Sequence, residues 1–257
     1  SLESLTPPWA ASDITTPDGF VGPGFLRYVA GRWRIDSSDI GLRPKVIVRH
    51  KGDLYAAATG PIVRLVGDAW VRITPADGVY TGSITSLTSF GDLLLATGPF
   101  EFVNERGELV RDAAAWDGRE WRSFNLPSDP TRISQRATFF VFQNTLYAQS
   151  PTAASLWHRL VGETWEPIAS GPLTSWLQRA LDIGNIAVLD VGAAHPYTFD
   201  GARFEPLQPP AGLGTLLPAF VSVNSRAVWG FTRKNTTGSI VSSGVVEYDG
   251  SRWTVLY

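Results

Sequence analysis

Carboxylates and aromatic rings are concentrated in one stretch of this 257-residue chain, residues 98–112. Its acids are Glu101, Glu105, Glu108 and Asp112. Two carboxylates about 5 to 10 Å apart can cleave a glycosidic bond, so a glycoside hydrolase is one hypothesis for this stretch. The same stretch holds Phe100 and Phe102, which we expect to line a site for a polar ligand. The alternative is that residues 98–112 form a solvated hairpin that extends two strands.

A tryptophan, an amide and a guanidinium occur together in the segment Trp176-Leu177-Gln178-Arg179. This composition is typical of a platform for a sugar or a peptide, because an indole offers an apolar face while the polar groups donate hydrogen bonds. Tyr80, Arg136 and His195 lie in comparable segments, and we predict that they complete an aromatic, mildly cationic surface. Packing of Trp176 within the fold is the competing interpretation.

Signatures of catalysis and metal binding are weak. The chain has no cysteine and three histidines, and it lacks a Gly-x-Ser-x-Gly elbow, a His-Glu-x-x-His helix and a phosphate-binding loop. Asp117, Asp200 and Asp249 each precede a glycine, but turn formation explains them better than a shared metal because they belong to separate repeats. We therefore predict no catalytic residue, no metal ligand and no cofactor, and an enzyme is the less favoured class.

Charge and composition limit the partners. The 22 basic and 24 acidic residues nearly balance, which argues against nucleic acid as a partner, and no apolar run has the length of a membrane helix. Arginine outnumbers lysine by 19 to 3, which suggests a bacterial, GC-rich source. The absence of cysteine and methionine suggests a chain that starts after an excised segment. We expect an extracellular or cell-surface location, although a cytoplasmic one fits the same composition.

The elements that position these residues contain six copies of a short sequence motif, which we call the repeated phrase. In each copy an apolar residue leads into a glycine turn that ends on an aromatic ring. The copies are Tyr28–Trp33, Leu65–Trp70, Trp116–Trp121, Leu160–Trp165, Phe199–Phe204 and Tyr248–Trp253. Their closing aromatics are on average 44 residues apart, the length of a four-stranded propeller blade.

A second phrase precedes each of the last five copies and supplies the two other strands of a blade. It consists of an apolar strand, a turn of glycine, asparagine or aspartate, and another apolar strand, as in residues 46–56 and 87–96. The sequence therefore predicts an all-β fold, a single β-propeller domain over residues 1–257. Six blades of four antiparallel strands fit best, with the first blade short or irregular, and five blades plus an extra hairpin is the alternative.

The turn chemistry also predicts a register. If Asp-Gly forms a two-residue type I′ turn, Trp116 faces Arg119 across the hairpin, and Ala114 faces Trp121. The last copy would then place Val246 opposite Trp253. These pairs put the aromatic rings on one face, where they can pack between neighbouring blades.

The Trp-Asp-Gly-x-x-Trp hairpin of residues 116–121, with the strand that starts at Leu93, resembles the kelch-like and tectonin-like propeller repeats of bacteria. The resemblance spans about residues 25–256 and departs from kelch repeats in lacking their glycine pair. Many tectonin-like repeats are lectins, so the resemblance implies binding of a sugar or glycoconjugate. Propeller enzymes, by contrast, gather acids from several blades, whereas the acids here lie on one loop.

Loops that join strands two and three of a blade, or one blade to the next, lie at the end of a propeller where function usually resides. We predict a non-catalytic module that binds a glycan or a protein there. The predicted contact residues are Tyr80, Phe100, Phe102, Arg136, Trp176, Arg179 and His195. A glycoside hydrolase and a structural domain of a larger surface protein are the alternatives.

Overall fold

The fold was analysed in a computed structural model. It describes residues 9–15, 21–29, 32–36, 44–58, 61–67, 69–74, 81–124, 138–150, 156–168, 177–191, 195–210, 215–223, 226–234, 237 and 239–256. For the first three strands and for residues 44, 45, 58, 81, 215, 217–223 and 234 it describes the backbone alone. In these residues all regular structure is β-strand, and none forms a helix able to cross a membrane. The chain divides into two compact units, Ser1–Phe139 and Phe140–Tyr257.

The first unit contains three antiparallel sheets. One has three strands, β1 (Trp9–Thr15), β2 (Val21–Val29) and β3 (Arg32–Asp36). The next has four, β4 (Pro44–His50), β5 (Asp53–Ala58), β6 (Val63–Val66) and β7 (Ala69–Arg72). The third has five, β8 (Thr81–Gly82), β9 (Ser86–Phe90), β10 (Leu93–Val103), β11 (Leu109–Trp116) and β12 (Trp121–Ser123). There β10 pairs with β9 along its first half and with β8 near its end.

Three four-stranded antiparallel sheets follow, and in each the strands pair in sequence order. The first is β13 (Phe139–Phe142), β14 (Thr145–Gln149), β15 (Trp157–Val161) and β16 (Thr164–Ile168). The second is β17 (Arg179–Asp182), β18 (Ala187–Asp190), β19 (Tyr197–Phe199) and β20 (Phe204–Pro206). The third is β21 (Thr215–Val223), β22 (Arg226–Lys234), β23 (Ile240–Tyr248) and β24 (Trp253–Val255). The second unit consists of these sheets, apart from Phe139 at the start of β13.

The repeated glycine-aromatic phrase forms the last hairpin of every sheet, but its predicted register is wrong. Trp116 pairs with Trp121, not with Arg119, and Ala114 pairs with Ser123. Val246 likewise pairs with Val255, while Tyr248 pairs with Trp253. In all six copies the residue that opens the phrase faces the aromatic five positions later.

The physical reason is that the Asp-Gly copies close with a four-residue loop. The Oδ1 atom of Asp117 accepts hydrogen bonds from the backbone N–H groups of Arg119 (2.9 Å) and Glu120 (3.0 Å). Asp249 does the same for Ser251 and Arg252. The carboxylate thus bridges the loop in place of the expected type I′ turn, and it gives the recurring aspartates a structural role.

These hydrogen bonds predict an acid-dependent loss of stability. Bonds from the N–H groups of Glu120 and Arg119 to Asp117, and from those of Arg252 and Ser251 to Asp249, lower the pKa of each carboxyl to about 2. Because each folded pKa lies below its unfolded value of 3.8, the stabilisation is complete above pH 4 and is lost as the pH falls towards 2.

As the pH is lowered from 4 to 2, we expect the urea midpoint of the double variant Asp117→Asn, Asp249→Asn to fall less steeply than the urea midpoint of the wild type. Asparagine keeps the accepting oxygen but does not titrate in this range. Urea denaturation at a series of pH values measures the effect. Equal slopes for wild type and variant below pH 4 would contradict this account of the aspartates.

Buried apolar side chains pack adjacent sheets together within each unit. In the first unit one core joins the β4–β7 sheet to the β8–β12 sheet, with Ile62, Leu94 and Trp121 among its members. In the second unit one core joins the first two sheets through residues such as Phe140 and Phe199. Another core joins the last two sheets. Five rings of the repeated phrase belong to these cores and so pack between sheets, as the sequence predicts: Trp116, Trp121, Phe199, Phe204 and Tyr248.

Candidate functional site

The hairpin of β10 and β11 bends back onto its own sheet. The β10–β11 register shifts between Thr97 and Glu101, and Asp112 has a positive φ of 61°. Gly98 has a φ of 148°, and a Cβ there would collide with the carbonyl oxygen of Ser83. A glycine is therefore required at the bend, since any side chain would meet backbone. The Ser123 hydroxyl donates to the carbonyl of Leu109, which places the part of the hairpin beyond the bend, residues 98–112, beside β12.

The bend removes Phe100 and Phe102 from the predicted ligand surface. Their side chains are 3% and 1% exposed and belong to the first unit's core. Their rings stack at 5.9 Å, and Phe102 meets Trp121 edge-on at 6.2 Å. The expectation of an aromatic wall is thus corrected, because burying these rings against the sheet removes their apolar surface from water.

Polar contacts fix the tip of the same hairpin. Buried Asn104 donates from Nδ2 to the Glu108 carboxylate (2.9 Å) and to the Trp121 carbonyl (3.0 Å). Its Oδ1 accepts the N–H groups of Arg106 (3.0 Å) and Glu108 (2.9 Å). Arg106 also pairs with Glu120 at 2.6 Å. Residues 98–112 therefore form a hairpin that extends β10 and β11, as the alternative interpretation expects, and Asn104 fixes its tip to β12.

The acids of this hairpin have separate environments. Glu108 is bound to Asn104, and Glu101 lies opposite Arg111 in the ladder. Burial raises the pKa of Asp112 above its usual value. A raised pKa suits a general acid, but glycoside hydrolysis requires a second carboxylate, and the four candidates still lie on this one hairpin.

In the second unit, three exposed polar residues from the segments predicted to bind a ligand lie at one end of the β17–β20 sheet. We call Gln178, Arg179 and His195 the strand-end site. Gln178 and Arg179 stand at the start of β17, and His195 lies between β18 and β19, so that the topology brings them to the same end. All three are exposed. Their types can donate hydrogen bonds to a ligand, and the arginine adds a positive charge.

One buried side chain and one backbone carbonyl hold the backbone of this site in place. Gln149 is fully buried at the end of β14, and its Oε1 accepts the N–H of Leu177 at 2.7 Å. The N–H of Gln178 donates to the carbonyl of Asp190 at 2.7 Å. Asp190, 8% exposed, also lies directly opposite Arg179 in the β17–β18 ladder. The strand-end site is therefore preorganised, because the backbone that carries it is bonded on both sides.

Sequence reasoning missed Gln149, Asp190 and Asn104. A detectable signal existed for the first two, since each is a polar residue that ends an apolar run, Leu146-Tyr147-Ala148 and Ala187-Val188-Leu189. Both occupy the last position of the second strand of their sheets. Asn104 carried no such signal, because its role depends on the bend of the hairpin.

The remaining predicted contact residues, Tyr80, Arg136 and Trp176, lie outside the described residues. Two other histidines lie elsewhere. His50 is buried with Nδ1 2.8 Å from the Ser89 hydroxyl, and burial lowers its pKa. Burial also lowers the pKa of His158. Among the described residues, no group of three or more histidines and acids is arranged to hold a metal ion.

Comparisons with solved structures show the fold. The chain is similar to "YCF48 bound to D1 peptide", with a TM-score of 0.53 and 14% identity over 80% of this chain and 68% of that one. It is similar to virginiamycin B lyase from Staphylococcus aureus with quinupristin, with a TM-score of 0.51 and 11% identity over 84% and 75% of the two chains. The extracellular domain of BT4673 from B. thetaiotaomicron gives a TM-score of 0.54 and 11% identity over 98% and 33%.

These similarities show that the chain is a β-propeller with four-stranded antiparallel blades. In the described residues there are five blades, as in the alternative that the sequence allowed; four have four strands, and in the fifth β8 adds a strand to the four of β9–β12. Strands β1–β3 form an additional three-stranded sheet. No protein-family model matches the chain, and no curated protein is similar to it in sequence. At these identities the likeness concerns the fold alone.

Proposed function

We propose that this protein is a non-catalytic binding module whose ligand contacts the strand-end site of the second unit. The observation that carries the proposal is the combination of exposed Gln178, Arg179 and His195 with a backbone that Gln149 and Asp190 hold fixed. A backbone that is already fixed loses little conformational freedom when its side chains meet a ligand, which favours binding. The side chains of the site can donate hydrogen bonds, which fits recognition of a polar ligand.

The proposed ligand is a glycan or a segment of another protein. Arg179 faces Asp190 in the ladder, so the two opposite charges offset each other, and a polar ligand fits better than a highly anionic one. The fold can hold a peptide, as the solved YCF48 complex is named for one. We also propose the kelch-like or tectonin-like origin of the repeats, which favours a glycan, and a location outside the cell or at its surface.

The test is a screen of the intact protein on a glycan array and on an array of unrelated peptides, followed by titration of any hit. We expect Arg179→Ala to weaken binding by about tenfold or more, since it removes a charged donor from the site. Arg203→Ala is the matched control, because Arg203 is an exposed arginine at the opposite end of the same blade. No hit on either array, or equal loss in the two variants, would refute the proposal.

The hydrolase alternative has one supporting observation. Asp112 combines a left-handed backbone, partial burial and a raised pKa, and such features are frequent in catalytic acids. The alternative still lacks a second carboxylate from another blade among the described residues, so it remains the weaker of the two.

A further inference from the structure

The last blade carries a strand edge that extends beyond its outermost strand. Strand β23 runs from Ile240 to Tyr248, but β24 pairs only with residues 246–248. One further bond, from the N–H of Leu256 to the carbonyl of Val245 (2.8 Å), extends this pairing. Within the described part of the chain, no strand faces residues 240–244 on that side. We call this segment the open edge.

The hydrogen-bonding groups of the open edge can be assigned from the ladder. In an antiparallel strand the N–H and C=O of one residue point to the same side, and the side alternates along the strand. Because the carbonyl of Val245 bonds to Leu256, the backbone groups of Ser243 point to the same outer side. Gly244 and Ser242 point inward, where they pair with Phe231 and Arg233. Ser243 therefore presents one donor and one acceptor outward.

Exposed apolar side chains surround this edge. Ile240 is 61% exposed and Val241 is 58% exposed, and Val255 and Leu256 lie on the neighbouring strand end. These four are a large share of the ten exposed large apolar residues in the described chain. Unpaired backbone groups next to exposed apolar side chains form the usual acceptor for an added strand.

The charge of the β22–β23 hairpin, which carries the open edge, indicates the kind of partner. From Phe231 to Val246 the sequence contains two cations, Arg233 and Lys234, and no carboxylate. An acidic strand is therefore attracted, whereas a second copy of this edge would bring two cationic hairpins together.

We propose that the open edge binds an extended segment of another polypeptide in which apolar side chains alternate with acidic ones. The added strand lies alongside the outer side of β23 and pairs with Ser243. Its apolar side chains contact the exposed apolar side chains of Ile240 and Val241. Its carboxylates are attracted by the cations of β22, which is separated from the added strand by β23. This surface is separate from the strand-end site and does not depend on it.

The probe is a fluorescent decapeptide of alternating valine and aspartate, compared with a peptide of the same composition in two blocks. Fluorescence polarisation with the intact protein should show at least about tenfold tighter binding of the alternating peptide. Ser243→Pro removes the outward N–H and should abolish this binding, while Ser243→Ala keeps the N–H and should preserve it. Arg233→Glu should weaken binding by about tenfold.

A second measurement does not depend on how the proline variant folds. Methylating every backbone nitrogen of the alternating peptide removes its ladder donors and should abolish binding to the wild-type protein. Arg179→Ala should leave the alternating peptide bound, which separates this proposal from the proposed function. Equal binding of the alternating, block and methylated peptides would overturn the proposal. Sedimentation of the wild type as a dimer that Ser243→Pro dissociates would also overturn it, by assigning the edge to a second copy.

Discussion

Replacing Trp121 by alanine is expected to lower the free energy of unfolding by about 3–5 kcal/mol. The indole is 1% exposed, lies 5.4 Å from the ring of Trp116 and meets Phe102 edge-on. Its Nε1 donates to the carbonyl of Ile73, which belongs to the connection after the preceding blade, at 3.1 Å. The substitution therefore creates a cavity and leaves a carbonyl without its donor. Urea denaturation followed by circular dichroism measures the loss.

Trp253→Ala is the matched control for this experiment. Trp253 ends the equivalent hairpin of the last blade and likewise donates from Nε1 to a carbonyl, that of Gln208, at 3.1 Å. Its ring is only partly buried, so we expect a smaller cost of about 1–2 kcal/mol. If both substitutions lower the free energy of unfolding by the same amount, the contribution of the tryptophan depends on its position in the repeat and not on its burial. Our account of the core would then be wrong.

Replacing Asn104 by alanine is the second large effect, expected to cost about 2–3 kcal/mol. One buried amide satisfies two backbone N–H groups, one carbonyl and one carboxylate, and alanine satisfies none of them. The tip of the β10–β11 hairpin should then separate from β12. Hydrogen exchange at the amides of Arg106 and Glu108 should accelerate by more than tenfold, alongside the loss measured in urea.

Glu105→Ala is the control for the hairpin tip. Glu105 is exposed in the same loop, and we expect a change within about 0.5 kcal/mol, as for most surface substitutions. Unchanged hydrogen exchange in Asn104→Ala would show that the aromatic contacts of Phe102 hold the hairpin without the amide.

The repeated phrase made the fold predictable, because each copy contains its own strand and turn signals. Glycine turns and apolar runs act over a few residues, so the hairpins of every blade could be identified from local sequence. The number of four-stranded blades was less certain, since the first copy lacks the preceding hairpin phrase that the other five have. The register failed for a local reason, because the Asp117 carboxylate closes a four-residue loop that a dipeptide rule does not include.

The candidate site was only partly predictable. Gln178, Arg179 and His195 could be chosen from residue type, and the structure places all three, exposed, at one end of a blade. Phe100 and Phe102 matched the same criteria but are buried. Residue type alone cannot separate these cases, because an aromatic ring suits a ligand surface and a core equally well.

By itself, the sequence determined an all-β chain of repeated hairpins with aromatic rings directed between blades, since periodicity and turn chemistry are properties of short segments. Only the tertiary structure decided that the hairpin of residues 93–116 bends back, that Gln149 and Asp190 fix the strand-end site, and that residues 240–244 form an open edge. Each of these depends on contacts or pairing between residues distant in sequence. Such contacts form only where the packed chain brings their partners together, and local patterns do not encode them.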